Sequence, residues 1–222
     1  ENMADEDGWV GLTWNHPLKY DDNFALAGYD RTHVFQLGWV YELPFAKNSS
    51  NPLAQIVKNW QINGVAAAYS GTPFSIGGTN NALNCQGCGT GTFVLINAPS
   101  DVSPSGIAGS ATEPWYDTSV FSQPTGLGHD GFGTSRRNQF RTPSVWNVDM
   151  GLFRSFPMGR FRPELRIEAQ NVFNHTNWGR PNTTFTSPQF MTFAPGAAHQ
   201  FNTIWGTGTT ERVVRVGLRL EF

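Results

Sequence analysis

The 222-residue sequence has few charged residues and no long apolar run. Charged residues make up 14% of the chain, against a usual fraction of about 25%. The formal net charge is −2, so we expect no basic surface that binds nucleic acid. No segment approaches the roughly 20 consecutive apolar residues of a membrane-spanning helix, which excludes a helical membrane protein. Glu1 is not followed by the basic and apolar regions of a signal peptide, so we expect either a cytosolic protein or a mature or internal fragment.

The sequence has only two cysteines, Cys85 and Cys88, in a C-x-x-C arrangement. This spacing occurs in redox motifs and in zinc sites. A zinc site needs two further ligands, and the sequence has no second C-x-x-C and no suitably spaced histidine pair. A redox motif needs a strand before it and a helix after it, whereas both flanks are rich in Gly, Asn and Thr. We therefore favour a small disulfide between Cys85 and Cys88 that pins an exposed loop, and this would indicate an oxidising compartment.

Residues that favour strands and turns are abundant. The sequence has 24 glycines, 14 prolines, 17 phenylalanines and 8 tryptophans, a mixture typical of β structure. Apolar and polar residues alternate with period 2 in several segments, which predicts strands with two different faces. The predicted strands cover residues 32–43, 57–70, 145–156, 161–173 and 211–222, with a short additional strand at Trp9–Trp14.

The strands predicted at 161–173 and 211–222 each carry a row of polar residues on one face. In the strand at 161–173 this row is Arg162, Glu164, Arg166, Glu168 and Gln170. In the last strand Val213, Arg215, Gly217, Arg219 and Glu221 lie opposite Val214, Val216, Leu218, Leu220 and Phe222. A soluble sheet with one solvated face explains this pattern, and so does a transmembrane barrel strand with its apolar side toward lipid. Because the charges alternate in sign, we expect pairing across neighbouring strands.

Two further features favour the barrel. Short connections (46–56 and 157–160) alternate with long polar excursions (71–144 and 174–210), the first excursion containing short strands such as Thr92–Ile96. Bacterial outer-membrane barrels have short periplasmic turns and long extracellular loops. Aromatic residues also cluster near the strand ends, where they would form an interfacial girdle. These aromatic residues are Trp39, Tyr41, Phe45, Phe153, Phe156 and Phe161.

Seven segments in register resemble the C-terminal part of TonB-dependent outer-membrane receptors, in particular the Oar-like subgroup with a carboxypeptidase-regulatory-like N-terminal domain. The segments are D-R-T-H-V-F (30–35), Y-E-L-P-F (41–45), N-W-Q-I-N-G (59–64), Y-S-G-T-P-F (69–74), R-R-N-Q-F-R-T-P (136–143), R-I-E-A-Q-N-V-F-N-H-T-N-W (166–178) and R-V-G-L-R-L-E-F (215–222). The resemblance implies an all-β fold, the antiparallel strands of a transmembrane β-barrel with long extracellular loops. Residues 1–222 would form the C-terminal segment of one barrel domain, without its plug and N-terminal strands.

The same resemblance implies the outer membrane of a Gram-negative bacterium and the uptake of a bulky ligand, which the sequence does not identify. The implied partners are outer-membrane lipid, the rest of the barrel with its plug (or a partner chain supplying strands), the TonB–ExbB–ExbD complex and the barrel-assembly machinery. Phe222 matches the terminal aromatic residue that this machinery recognises. The polar residues expected to face the lumen are Arg162, Glu164, Arg166, Glu168, Arg215, Arg219 and Glu221.

The alternative is a non-enzymatic structural or binding protein: a secreted β-sandwich, or a self-assembling β-rich surface protein whose edge strands pair between chains. Catalysis is the least favoured function. The five histidines lie in separate segments, and no catalytic motif has the structural context it requires. We expect no enzyme activity and no cofactor or metal site.

Overall fold

The computed structural model describes residues 21, 24–45, 58–79, 94–127, 131–193 and 211–221. The chain divides into two compact units. The sheet unit comprises His33–Tyr69, Trp146–Thr176 and Thr210–Phe222, and the loop unit comprises Glu1–Thr32, Ser70–Val145 and Asn177–Thr209. Four of the predicted features lie outside the described residues: the strand Trp9–Trp14, the turn 46–56, the Cys85–Cys88 pair and the terminal Phe222.

The described residues contain seven strands. They are β1 (Val34–Glu42), β2 (Trp60–Tyr69), β3 (Pro73–Phe74), β4 (Phe140–Arg141), β5 (Val145–Ser155), β6 (Arg162–Gln170) and β7 (Val213–Glu221). Five of them form one sheet in the order β1-β2-β5-β6-β7, while β3 pairs with β4. The pairs β1–β2, β5–β6 and β6–β7 are antiparallel. The predicted all-β, antiparallel fold is therefore confirmed. As far as the structure describes the chain, the sheet is open, with β1 and β7 at its edges.

Local sequence explains where the strands stop. β1 ends at Glu42, two residues before Pro44, which has no N–H to offer to a neighbouring strand. β5 and β6 are joined by a tight turn in which Met158 and Phe161 exchange backbone hydrogen bonds of 2.8 and 3.1 Å. Gly159 in this turn has a φ of +66°, which glycine adopts without the steric cost of a Cβ. The predicted hairpin through Pro157 and Gly159 is confirmed.

Large side chains on β1 pack against small residues on β2. The register places Trp39 opposite Gly64, Leu37 opposite Ala66 and Phe35 opposite Ala68. A Cβ at position 64 would collide with the indole ring of Trp39. The small residues of β2 therefore allow close packing between the strands.

The connections between the sheet strands alternate in length. Residues 70–144 join β2 to β5, and residues 171–212 join β6 to β7. Because successive strands run in opposite directions, both of these long connections leave from one end of the sheet. The shorter connections, 43–59 and 156–161, lie at the other end. We call these the long-loop end and the short-turn end.

The loop unit has a hydrophobic core of its own, which the sequence analysis did not anticipate. Ile76 and Ile96 are fully buried, and Phe74 and Phe140 are 1% exposed. Edge-to-face contacts connect several rings of this core, with Phe121 lying 5.6 Å from Phe140 and 5.5 Å from Phe190 between ring centroids. The excursion 71–144 thus contributes aromatic residues to a packed interior. It was predicted as a polar loop because its apolar residues are scattered rather than periodic.

Of the strand predicted at Thr92–Ile96, the described residues 94–96 do not form a strand. Residues 91–93 lie outside the described part of the chain, and the following residues make only isolated bridges. Leu95 pairs with Gly77, and Asn97 pairs with Ser122. Leu95 and Ile96 are both buried, so consecutive side chains are covered and neither is turned to solvent as alternation would require. Within the described residues, no helix has the length and apolar character needed to cross a membrane.

Candidate functional site

The two sides of the sheet differ in chemistry. On β6 and β7 the register pairs Arg162 with Glu221, Glu164 with Arg219 and Glu168 with Arg215. Directly opposed residues on antiparallel strands point to the same side. All seven charged residues predicted to form polar rows therefore lie on one side of the sheet, which we call the polar face: Arg162, Glu164, Arg166, Glu168, Arg215, Arg219 and Glu221.

The short ion pairs on the polar face run along the strands. Arg166 Nε lies 2.6 Å from Glu164 Oε1, and Arg219 Nη2 lies 3.0 Å from Glu221 Oε1. Pairing across strands was expected, and the register does oppose unlike charges, but these two closest contacts join residues two apart on one strand. Pairs this exposed contribute about 0–1 kcal/mol each. The row is thus better suited to hydrating a surface than to stabilising the sheet.

The polar face continues onto β5 and β2. Gly151 lies opposite Glu168, and Ser155 lies opposite Glu164. The side-chain oxygen of Asn63 on β2 faces Gly151. Phe153 also lies on this face, opposite Arg166, with its ring 5.4 Å from the guanidinium carbon of Arg166. Phe153 therefore does not belong to the girdle in which the sequence analysis placed it, because its position in β5 has the parity of the polar residues.

The opposite side, which we call the apolar face, is exposed. On β7 the exposed fractions are 56% for Val214, 71% for Val216, 67% for Leu218 and 61% for Leu220. The same side carries Leu165 and Ile167 of β6 and Met150 and Leu152 of β5. Contiguous apolar surface of this kind marks an interaction with a membrane or another protein. An open apolar face combined with a charged opposite face is the pattern of a barrel wall.

Aromatic residues lie at both ends of the apolar face. At the long-loop end, Trp146 stacks on His175 with 4.1 Å between ring centroids and lies 6.1 Å from Phe173. At the short-turn end are Trp60, Phe156 and the exposed Phe161. Burial lowers the pKa of His175 from its usual value of 6.5. These residues form two belts, of which the sequence analysis predicted Phe156 and Phe161 at the short-turn end but neither Trp60 nor the belt at the long-loop end.

The distance between the two belts fits a bilayer. Trp146 and Phe156 are ten residues apart on one extended segment, which corresponds to about 34 Å at about 3.4 Å per residue. A barrel strand tilted by about 40° converts this length to roughly 26 Å along the membrane normal, close to the apolar band of about 25 Å in outer-membrane barrels. The apolar face and its belts therefore match the hydrocarbon layer in height.

One charged residue, Arg154, interrupts the apolar face. It lies opposite Leu165, and its guanidinium carbon is 5.3 Å from the centre of the Trp60 ring and 4.3 Å from that of Phe156. The sequence analysis missed this residue. Its place on the apolar face could have been found from the alternation, because Arg154 continues the series Trp146, Val148, Met150 and Leu152.

A turn rich in asparagine ends β6 and holds the next segment. Asn171 has a φ of +48°, a conformation that asparagine tolerates better than most residues. Its side chain accepts a hydrogen bond from the His175 N–H (2.9 Å) and donates one to the His175 carbonyl (2.8 Å). Its own N–H donates to Asp149 Oδ1 at 2.8 Å, and Asn174 Oδ1 accepts from the Arg212 N–H at 3.1 Å. This network gives a structural role to both asparagines of the segment N-V-F-N-H (171–175).

Arg141 organises the described part of the loop unit. Its guanidinium donates to Asp30 Oδ2 at 2.8 Å and to the Gly71 carbonyl at 2.9 Å. The Tyr116 hydroxyl accepts from the Arg141 N–H at 2.8 Å and donates to the Arg141 carbonyl at 3.2 Å. Burial raises the pKa of Tyr116 above its usual value. Asp30, Gly71 and Arg141 come from three of the segments that carry the family resemblance, and these hydrogen bonds join the three segments in one cluster.

Within the described residues, no group of three or more His, Cys, Asp or Glu side chains is placed to hold a metal ion. The structure thus offers the two faces of the sheet and the loop unit as its candidate functional surfaces. The family model described as "Outer membrane beta barrel domain" matches residues 2–214 of the chain. Comparisons with curated proteins and with solved structures found no match.

Proposed function

This chain belongs to the outer membrane beta barrel domain family, and on that premise we propose that it forms the C-terminal wall of a TonB-dependent transporter that takes up a bulky ligand. Family membership places the chain in the bacterial outer membrane, in agreement with its antiparallel strands. Transport of a bulky ligand goes beyond this family membership and is our proposal. The two-faced sheet with both long connections at one end carries the proposal.

In this proposal the apolar face contacts lipid and the polar face lines the lumen. The ion pairs Glu164–Arg166 and Arg219–Glu221 keep the lumen hydrated and present charges to a plug. A polar interior is the norm for such barrels. These residues therefore contact the plug, and ligand recognition lies elsewhere.

The loop unit supplies the ligand-gathering surface. Loops on a rigid scaffold commonly carry recognition, and the long connections of outer-membrane barrels are extracellular. The described residues of the loop unit pack around a hydrophobic core, in which Tyr116, Phe140 and Met191 are buried. A pre-ordered surface of this kind loses less conformational entropy when a ligand binds.

Additional strands complete the barrel. β1 and β7 are the edges of the described sheet, and an unpaired strand edge is not tolerated in hydrocarbon. We propose that the rest of the same barrel, or a partner chain, pairs with both edges. A plug inside that barrel would couple it to the TonB–ExbB–ExbD complex, and Phe222 would serve as the signal for the barrel-assembly machinery.

The proposal is tested by the intact mass of the polypeptide isolated from outer membranes, with peptides mapped on both sides of residues 1–222. We expect a chain much larger than 24.5 kDa that contains a plug, and ligand uptake that stops when a protonophore collapses the proton-motive force. A mass near 24.5 kDa without a separate plug-bearing partner would refute the transporter.

The open edges of the sheet also favour a second candidate, a non-enzymatic β-rich surface protein that assembles through edge pairing. Cross-linking between cysteines introduced at Gln36 on β1 and Arg215 on β7 distinguishes the two. Links between identical chains, formed without detergent, favour self-assembly. Links to other segments of a longer chain, formed only in detergent or membranes, favour the transporter.

A further inference from the structure

The polar face is not polar over its whole width. Val40 lies directly opposite Asn63, whose side chain faces Gly151, so Val40 belongs to the polar face. Val34 and Val65 have the same parity on their strands and therefore lie on the same side. The exposed fractions are 59% for Val34, 70% for Val40 and 54% for Val65. We call these three residues the valine patch.

The exposure of the valine patch does not come only from the open edge of the sheet. β1 is an edge strand, so a missing neighbour adds to the exposure of Val34 and Val40. Val65 lies on β2, which has β1 on one side and β5 on the other, and it is still more than half exposed. The patch is therefore open above the plane of the sheet, where only material inside the barrel can cover it.

β1 is apolar on both of its sides. Phe35, Leu37 and Trp39 lie on the apolar face, opposite small residues of β2, and contact lipid in the proposed barrel. A strand with one side in water keeps that side polar, whereas a strand covered on both sides carries apolar residues on both. β6 and β7 follow the first pattern and β1 follows the second. We therefore expect water against the polar face at β6 and β7, and an apolar partner against it at β1 and β2.

The length of the valine patch favours a polypeptide as this partner. Val34 and Val40 are six residues apart on β1, which corresponds to about 20 Å at about 3.4 Å per residue. Between them, Gln36 Nε2 donates a hydrogen bond of 2.6 Å to the Tyr69 hydroxyl of β2, so this donor has a partner within the sheet. An aliphatic surface of this length suits the side chains of a folded segment of protein.

We propose that the valine patch is the docking site for the plug, which covers it with aliphatic side chains. The charged rows of β6 and β7 stay hydrated where they meet the plug, so the plug is held mainly at the side of β1 and β2. This inference rests on the proposed function, because it takes the plug of the transporter as the occupant. It adds which part of the wall holds the plug and by which chemistry.

The experiment measures how fast a water-soluble maleimide labels single cysteines in the complete purified barrel, with its plug and after deletion of the plug. Cys85 and Cys88 are replaced by serine in every variant. V40C and V65C report on the valine patch. V213C is the matched control, because it replaces the same type of residue on the polar face of β7.

The expected result is a protection that depends on the plug. In the complete barrel, V40C and V65C should be labelled on the order of tenfold more slowly than V213C, because a covered site reacts only through local opening. Deletion of the plug should raise both rates to that of V213C, whose own rate should not change. V216C on the apolar face should be labelled slowly in both forms, since detergent or lipid covers it.

Three outcomes would overturn the proposal. Labelling of V40C and V65C as fast as that of V213C in the complete barrel would show that water covers the patch. Slow labelling that persists without the plug would assign the patch to another occupant, such as a second copy of the chain. Equal protection of V213C would show that the plug covers the whole polar face. None of these results refutes the transporter, which the intact mass and the protonophore test separately.

If the barrel does not assemble without its plug, arginine variants of the complete barrel decide the question. V40R should lower the urea concentration at which an added protease begins to cleave the plug, because a charge then enters the apolar contact. V213R should leave that concentration unchanged. The same urea concentration for both variants would overturn the docking site.

Discussion

Replacement of valines by arginine along β7 tests which side of the sheet contacts lipid. Val213, Val214 and Val216 lie on one strand, Val213 on the polar face and the other two on the apolar face. Since the starting and final residues are the same, changes in β propensity and side-chain entropy largely cancel in the comparison. What remains is the environment that each arginine enters.

The expected loss of stability for each arginine depends on its depth in the bilayer. The middle of β7 is Gly217, so Val216 lies one residue from the bilayer centre, and V216R should lower the free energy of unfolding by about 2–4 kcal/mol. V214R lies closer to the long-loop end, and we expect an intermediate cost of about 1–2 kcal/mol. V213R enters the polar face opposite Gln170 and should change stability by less than about 0.5 kcal/mol.

The assay is urea unfolding of the complete barrel that contains this chain, refolded into phospholipid vesicles and followed by tryptophan fluorescence. If the apolar face were exposed to water, V216R would replace a 71% exposed side chain and cost less than about 0.5 kcal/mol. Equal stability of V216R and V213R would therefore refute the assignment of the two faces.

Three other predictions concern the loop unit and the turn after β6. G71A should lower the free energy of unfolding by about 1–3 kcal/mol, because the new Cβ overlaps the Thr142 carbonyl oxygen; G38A, with open space at the same atom, should change it by less than about 0.5 kcal/mol in the same urea titration. N171A should cost about 2–3 kcal/mol through lost hydrogen bonds and a strained φ, and N171G should recover about 1 kcal/mol of this; equal loss in both variants would contradict the conformational part. Because burial lowers the pKa of His175 below 6.5, the folded chain binds fewer protons than the unfolded chain, so stability should fall as the pH drops below 6.5. H175Q should weaken this pH dependence. If H175Q had the same pH profile as the unsubstituted protein, the loss of stability could not be assigned to His175.

The five sheet strands were predictable because each has one polar and one apolar side. β6 and β7 have the strictest alternation, and the predicted segments 161–173 and 211–222 contain the observed Arg162–Gln170 and Val213–Glu221. The alternation also fixed which residues share a side, since a shift of one residue reverses every side chain. The membership of the polar face on β6 and β7 therefore followed from sequence alone.

The loop unit was not predictable in this way. Its core residues, such as Phe74, Ile96 and Phe190, are far apart in the sequence and follow no period. Burial there depends on tertiary contacts such as those of Arg141 with Asp30 and Gly71. Pattern analysis detects regular faces, so it treated this segment as a polar loop.

The aromatic girdle could not be assigned correctly from closeness in sequence alone. Phe153 is close to Phe156 in sequence and was assigned with it, yet strand parity places Phe153 beside Arg166 on the polar face. Arg154, adjacent to Phe153, lies on the apolar face for the same reason. A girdle should therefore be assigned by parity as well as by distance from a turn.

The most direct test of the central claim is a spin-label scan of β7 in phospholipid bilayers. A nitroxide is attached in turn to each position from Val213 to Glu221, and its collisions with oxygen and with a water-soluble nickel chelate are measured. We expect oxygen accessibility to peak at 214, 216, 218 and 220 and nickel accessibility to peak at the positions between them. High nickel accessibility at 216 and 218 would contradict it, because the apolar face would then lie in water.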